Sequence, residues 1–312
     1  MAIHATLDRS SQPRFLICPP RHFAVTYSIN PWMDPNAWGK RGASLHARAE
    51  RQWEGLREAL EAAGAVLEIL EPAAGLPDLV FTANAAVVLD GKVLPARFRH
   101  GERRAEEPVF AAAFAALKAG SLVKQILALP PGVRLEGAGD CLWDAERGVF
   151  WLGCGFRSDA AAGAAIEALY GVPAVALPLA DPSFYHLDTA FCALPCGTIV
   201  YYPGAFTPEA LSRIHERVAP ETRIALDRAD ATRFAANAVC AGRTIVLSRC
   251  STALRRNLEG RGYKVVETPL DVFQKSGGSA CCLTLRLDHR SEASNIAAIM
   301  PPASAVAARG AP

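Results

Sequence analysis

Apolar residues along the chain collect into short, β-branched runs separated by longer stretches of helical period. The runs are RFLICPP (14–20), DLVFTANAAVVLDGKVLPA (78–96), GVFWLGCGF (148–156), GTIVYYPGAF (197–206) and GRTIVLS (242–248). Each predicts strand. The second predicts a hairpin, because Asp90-Gly91 between VVL and KVL is a tight-turn signal. Between them, LHARAERQWEGLREALEAAG (45–64), EEPVFAAAFAALKAG (106–120), SDAAAGAAIEALYG (158–171) and TPEALSRIHERV (207–218) predict helices, several ending on a C-cap glycine. Strand and helix alternate without a compositional break, so the chain reads as one α/β domain over residues 1–312.

A second pattern lies over the first. Polar residues interrupt the apolar segments at Asn30, Asn84, Glu136 with Asp140, His186 with Asp188, Asn237 and Cys282, recurring about every 50 residues. That recurrence predicts a repeated strand-helix unit, about five in a closed ring, each presenting a residue to a common centre.

Composition narrows the partners. Of 312 residues, 51% are hydrophobic, and 33 Lys and Arg face 31 Asp and Glu, a net charge of +2. Such a balance argues against a nucleic-acid partner, and no apolar run reaches the ~18 residues of a membrane helix. The segment MAIHATLDRSSQPR lacks an apolar signal core, so a cytoplasmic protein is expected. Nine cysteines sit in apolar stretches without CxxC pairs or metal-ligand spacing, which points to reduced, buried thiols and no metal. Neither a dinucleotide glycine pattern nor a phosphate-loop lysine is present, so no cofactor is implied. Residues 289–312, rich in Ala, Pro and Ser, predict a loose tail beyond a core of about 15–288.

The candidate chemistry begins at GGSACCLTLRL (277–287). Read as a strand after a diglycine, this stretch sends Cys281 and Cys282 to opposite faces, so only one sulfur addresses a given pocket. A nucleophilic thiol needs a base. His186, in the apolar FYHLD, is the candidate, with Asp188 two residues on along the same strand face to orient the imidazole or bind a cation. Glu136 lies in LEGAGD and Asp78 in LPDLVF. One thiol, one histidine and several carboxylates around one centre suit a cation with an electrophilic carbon, and a guanidinium is both.

The set EGxGD, YHLD, FTAN and GG-x-x-x-C-L-T resembles the guanidine-modifying superfamily of arginine deiminases, dimethylarginine dimethylaminohydrolases and amidinotransferases. Within it, INPWM, GLPDLVFTANA, RFRHGERRAEEPVF, FYHLDTAFC and ETPLD-x-F-x-K-x-GG-x-x-x-CLTLRL resemble the arginine dihydrolase domain of cyanobacteria, from about Phe15 to Asp288. The resemblance implies a five-bladed α/β propeller, or pentein, with a Cys-His-acid centre. It implies Cys282 as nucleophile, since Leu283-Thr284 follow it as the superfamily pattern asks; Cys281 stands where those relatives commonly carry lysine. It further implies His186, Glu136 and Asp188 as catalytic partners, and Arg157 and Arg103 as clamps for an amino-acid carboxylate. Asn84, Asp78, Asn30 and Asn237 line the substrate. The bifunctional relatives carry a further C-terminal domain, so hydrolase activity alone is expected here. The substrate is a small guanidino compound, arginine or a methylated arginine, and a homo-oligomer is compatible with the fold. Asn84 replaces the aspartate of ordinary deiminases. An amide also donates, so it can hold the neutral ureido oxygen of citrulline for a second hydrolysis ending at ornithine. Dimethylargininase or deiminase activity giving citrulline, or an inactive binding member, are the alternatives.

Overall fold

Each of the five apolar runs supplies the middle strand of its own three-stranded sheet in the computed structural model of the chain, which describes residues 12–291. Strand β1 (Arg14–Ile17) pairs in parallel with β2 (Val66–Ile69). The second blade holds β3 (Ala86–Leu89), β4 (Lys92–Pro95) and β5 (Gln125–Ile126); the third holds β6 (Cys141–Asp144), β7 (Val149–Cys154) and β8 (Ala174–Pro178). The fourth is built from β9 (Phe191–Ala193), β10 (Ile199–Tyr201) and β11 (Arg223–Ala225), the fifth from β12 (Val239–Ala241), β13 (Thr244–Leu247) and β14 (Lys264–Glu267). Finally β15 (Leu285–Arg286) returns antiparallel to β1, pairing Phe15 with Arg286 and Leu16 with Leu285. In every blade the middle strand pairs antiparallel on one side and parallel on the other. The result is a five-bladed α/β propeller.

A helix crosses from middle to outer strand in each blade: Gly42–Ala62, Glu107–Ala119, Ala162–Tyr170, Pro208–Arg217 and Thr252–Gly260. A parallel pair requires such a crossover. The first four match the predicted helices. The fifth was not predicted, although its signals are ordinary: the Ser251 hydroxyl accepts from Leu254 N at 3.1 Å, and Leu254 and Leu258 bury one face. The Asp90-Gly91 turn forms as read, with φ of 57° and 75° between the paired Leu89 and Lys92.

The inner strands β3, β6, β9, β12 and β15 are short, and β6 touches both β3 and β9 around the centre. Immediately before three of them the chain makes one 3₁₀ turn, at Thr82–Ala85, Gly137–Gly139 and Leu187–Thr189. These turns, not strand faces, carry or flank Asn84, Glu136, Asp140, His186 and Asp188, while Asn237 and Cys282 sit in other turns before β12 and β15. The approximate 50-residue recurrence therefore follows the inner strands from Asn84 to Cys282. Asn30 does not belong to it, because it lies after the middle strand β1 rather than before an inner one.

The predicted tail begins later than expected. Asp90 N donates to the His289 carbonyl and Ser291 N to Asp90 Oδ1, both at 2.9 Å, so 289–291 are fastened to the hairpin turn. The remainder of that tail and the N-terminal residues 1–11 lie outside the described residues. Among the described residues, no helix is long and apolar enough to cross a membrane.

Candidate active site

At the centre, the expected strand at GGSACCLTLRL is a turn. Leu283 N donates to the Ser279 carbonyl at 3.1 Å and Thr284 N to the Cys281 carbonyl at 3.0 Å, and strand begins only at Leu285. The opposite-face argument for the two cysteines therefore does not apply. What separates them is burial and contact: Cys282 is 2% exposed, whereas Cys281 is half-buried.

Asn237 brackets Cys282 from the facing turn. Its Oδ1 accepts from Cys282 N at 3.2 Å, and its Nδ2 donates to the sulfur at 3.1 Å and to the Asp188 carbonyl at 3.0 Å. The Cys282 thiol donates to Asp188 Oδ2 at 3.1 Å. Burial, and then the Asp188 charge, push this thiol well above its ordinary range, and the same two causes raise Cys281. Asp188 is itself fully buried, and that desolvation lifts its carboxyl to about 7 despite the hydrogen bonds from Cys282 and Asn237.

His186 and Asp188 were expected on one strand face, with Asp188 able to orient the imidazole. Instead His186 caps the turn that holds Asp188, and the two side chains take different partners. His186 Nε2 lies 2.8 Å from Glu136 Oε2. That oxygen also accepts from Arg157 Nη1 at 2.9 Å, and Oε1 accepts from Arg99 N at 3.1 Å. Burial opposes ionisation of Glu136, but the Arg157 guanidinium and the bond to His186 outweigh it and hold the carboxyl well below the usual carboxylate range. Glu136 is therefore a fixed anion behind the histidine. With Nε2 engaged, Nδ1 is the ring nitrogen left for a reactant. The loop is kept in place by Asp140, whose Oδ1 accepts from Leu187 N at 3.0 Å and whose Oδ2 accepts from Ser158 Oγ at 2.6 Å.

Asn84 faces the same space. A Cβ on Gly139 would collide with Asn84 Nδ2 and lie 3.2 Å from His186 Nδ1, so only a glycine here lets both side chains pack where they do. Asn84 Oδ1 accepts from Arg103 Nη1 at 2.7 Å. Asp78 accepts from the Tyr27 hydroxyl at 2.8 Å and from Ser276 Oγ at 3.0 Å. Asn30 Nδ2 donates to the Ser276 carbonyl at 3.1 Å, tying the loop after β1 to the one before Cys282.

Both arginines depart from the expected carboxylate clamp. Arg157 is buried, bonds Glu136 and the Ile29 carbonyl, and lies with its guanidinium carbon 4.5 Å from the Tyr185 ring centroid. Arg103 holds Glu106 with Nε and Nη2 at 2.9 and 2.7 Å, and the Asp78 carbonyl at 3.2 Å. A buried guanidinium must have its donors met by protein, and these partners meet them. Glu106, Tyr27, Tyr185 and Ser276 were not anticipated; nothing local in sequence separates them from a helix-start acid, core aromatics or a loop serine.

Among the described residues, the buried side-chain atoms without a hydrogen-bond partner are Asn84 Nδ2, Asp188 Oδ1, Ser279 Oγ and Arg223 Nη1. The first two are a donor and a charged acceptor of the central cluster, and Ser279 is part of the turn that carries Cys282. Unpaired buried polar atoms are costly in a folded core, and three of these four gather around the thiol, Arg223 on the outer strand β11 being the exception.

Comparison with known proteins places the chain in a family. The family model described as N,N dimethylarginine dimethylhydrolase, eukaryotic, matches residues 20–288. The bifunctional arginine dihydrolase/ornithine cyclodeaminase AgrE of Nostoc sp. is 44% identical over 278 residues, covering 89% of this chain but 38% of its own length. The chain thus spans about two fifths of that relative. The N(G),N(G)-dimethylarginine dimethylaminohydrolase of Mycobacterium tuberculosis is 37% identical, covering 88% of this chain and 85% of its own. Among solved structures, the N-terminal domain of ArgZ with bound product, an arginine dihydrolase of cyanobacteria, has a TM-score of 0.83 and 40% identity, covering 90% of this chain and 99% of that one. From sequence and fold together, this chain belongs to the dimethylarginine dimethylhydrolase family, with arginine dihydrolase domains among its relatives.

Proposed function

We propose that the chain hydrolyses the guanidino group of L-arginine twice, giving ornithine, two ammonia and carbon dioxide with two waters consumed. The observation that carries this reading is the pair of unpartnered buried atoms, Asp188 Oδ1 and Asn84 Nδ2. The carboxylate oxygen suits a guanidinium N–H; the amide N–H suits a ureido oxygen. One site therefore fits both the substrate and the product of its first hydrolysis. Solved ArgZ structures with substrate and with product, and AgrE with L-arginine, support the substrate class.

In this reading the cation settles against Asp188, and its charge lowers the pKa of the adjacent Cys282 thiol. The thiolate attacks the guanidinium carbon, and protonated His186 donates from Nδ1 to the departing ammonia. Glu136 holds Nε2 and so leaves Nδ1 to the reactant, and Arg157 keeps Glu136 ionised. His186 then takes a proton from water as it opens the thiouronium carbon. Asn84 holds the resulting ureido oxygen, a second attack expels the second ammonia, and hydrolysis leaves a carbamate that loses carbon dioxide. Asn237 positions the sulfur throughout.

The whole of residues 1–312 is read as one catalytic domain. A net charge of +2 and nine cysteines, none of them paired, accord with cytoplasmic work on a small molecule without nucleic-acid or membrane partners, as a monomer or a homo-oligomer. Counting products from arginine tests the proposal: two ammonia and one ornithine per arginine are expected, whereas one ammonia with citrulline overturns it. The matched family favours a second reading, hydrolysis of dimethylarginine, which releases dimethylamine instead.

A further inference from the structure

Asn84 can serve a ureido oxygen only if its amide points the right way, and an amide has two orientations of nearly equal shape. Rotation by half a turn exchanges Oδ1 and Nδ2. It would face the site with an acceptor, good for a guanidinium and useless for a carbonyl. What fixes the orientation lies behind the residue. Arg103 Nη1 donates to Asn84 Oδ1 at 2.7 Å in a buried setting, and a guanidinium has only donors, so the atom facing it must be the oxygen. Arg103 is in turn held by the fork-to-fork contact of Nε and Nη2 with both oxygens of Glu106, at 2.9 and 2.7 Å, and by the Asp78 carbonyl. Arg103 and Glu106 are 3% and 1% exposed. Their planar pairing leaves Nη1 aimed at Asn84 with little rotational freedom.

We propose that Arg103, locked by Glu106, is the positioning residue that makes Asn84 a donor, and so decides between release of citrulline and its second hydrolysis. The idea rests on the dihydrolase reading. It assigns Arg103 no contact with substrate, which distinguishes it from a carboxylate clamp.

The two roles move different quantities. Arg103→Lys keeps the charge opposite Glu106 but loses the fork, so the amide is free to turn its oxygen inward. Citrulline released per ornithine should then rise about tenfold or more, the scale of one lost hydrogen bond to a buried polar group. The KM for arginine should stay within about threefold of wild type or fall, because an inward oxygen welcomes the cation. The partition is a ratio of products and does not depend on how much enzyme is folded. If Arg103→Lys fails to fold, Arg103→Met with Glu106→Leu removes both buried charges together and carries the same expectation. An unchanged partition overturns the proposal. A KM for arginine that rises in step with the partition also overturns it, since that marks a direct grip on substrate. Wild-type enzyme that stops at citrulline overturns the dihydrolase reading and this inference with it, an outcome visible without any variant.

Discussion

The sulfur of Cys282 and the carboxyl of Asp188 stand 3.1 Å apart, both buried, so the nucleophile rests beside an acid rather than a cation. Such a pair resists losing the thiol proton until positive charge arrives. In the proposed reaction the guanidinium brings that charge, and without it the thiol should react more slowly with other electrophiles.

Asp188→Asn separates the two halves of this arrangement. Removing the anion should move the pH midpoint for Cys282 alkylation by iodoacetamide downward, while turnover of arginine is lost because the guanidinium has no carboxylate to meet. A midpoint that stays or moves up shows that Asp188 does not hold the thiol.

The Asp188 carboxyl, raised by burial to about 7, also sets a pH dependence in the wild-type chain. Substrate needs the ionised form, so kcat/KM should fall as pH drops through about 7. Stability runs the other way. The folded state holds a proton that the unfolded state releases near about 4, so stability is highest below that value and declines as pH rises through about 7. Asp188→Asn should flatten the decline in urea midpoints between about pH 4 and 7.

Cys282→Ser should abolish turnover with the fold intact, whereas Cys281→Ser should keep most of it. A covalent adduct trapped from arginine should map by mass spectrometry to Cys282, best in a His186→Ala variant where hydrolysis is slowed. An adduct on Cys281 refutes the assignment.

Asn84→Asp replaces the donor by an acceptor. The first ammonia should still be released, and citrulline should accumulate at the expense of ornithine by about tenfold to a hundredfold. Ornithine and ammonia in wild-type proportion would show that the amide is not the determinant.

Gly139→Ala tests the close packing of Asn84 and His186 on this glycine. The added methyl collides with Asn84 Nδ2 and must displace that side chain, so kcat should fall by about a hundredfold or more, with a stability loss of about 1–3 kcal/mol from overpacking. Near-normal kcat means the placement of these two side chains against Gly139 does not matter to turnover.

The middle strands were legible because each is a continuous apolar run buried on both faces, as RFLI and TIVL are. The site residues were legible one by one, as polar interruptions of such runs, but their geometry was not. A single turn shows neither the period of a strand nor that of a helix, so His186 and Asp188 read as one strand face, and Cys281 and Cys282 as two. The arginines were misplaced for a different reason. Arg157 finds Glu136 in another turn, and Arg103 finds Asn84 in another blade element, so their burial depends on partners the local sequence does not display. Glu106 looks like any acid at a helix start until the fold buries it.

Closure of the propeller by β15 against β1 fixes the order in which a newly made chain gains its chemistry. Asn84, Glu136, His186, Asp188 and Asn237 all leave the ribosome before Cys282, which emerges just ahead of the strand that completes the first blade. A nascent chain can therefore assemble four blades and their cation-holding acids while lacking the sulfur, and the first blade lacks its inner strand until the same moment. Completion of the ring and arrival of the nucleophile are one event. On the proposed chemistry, a chain that stops short of Cys282 should be inactive toward arginine, and activity should require β15 to pair with β1.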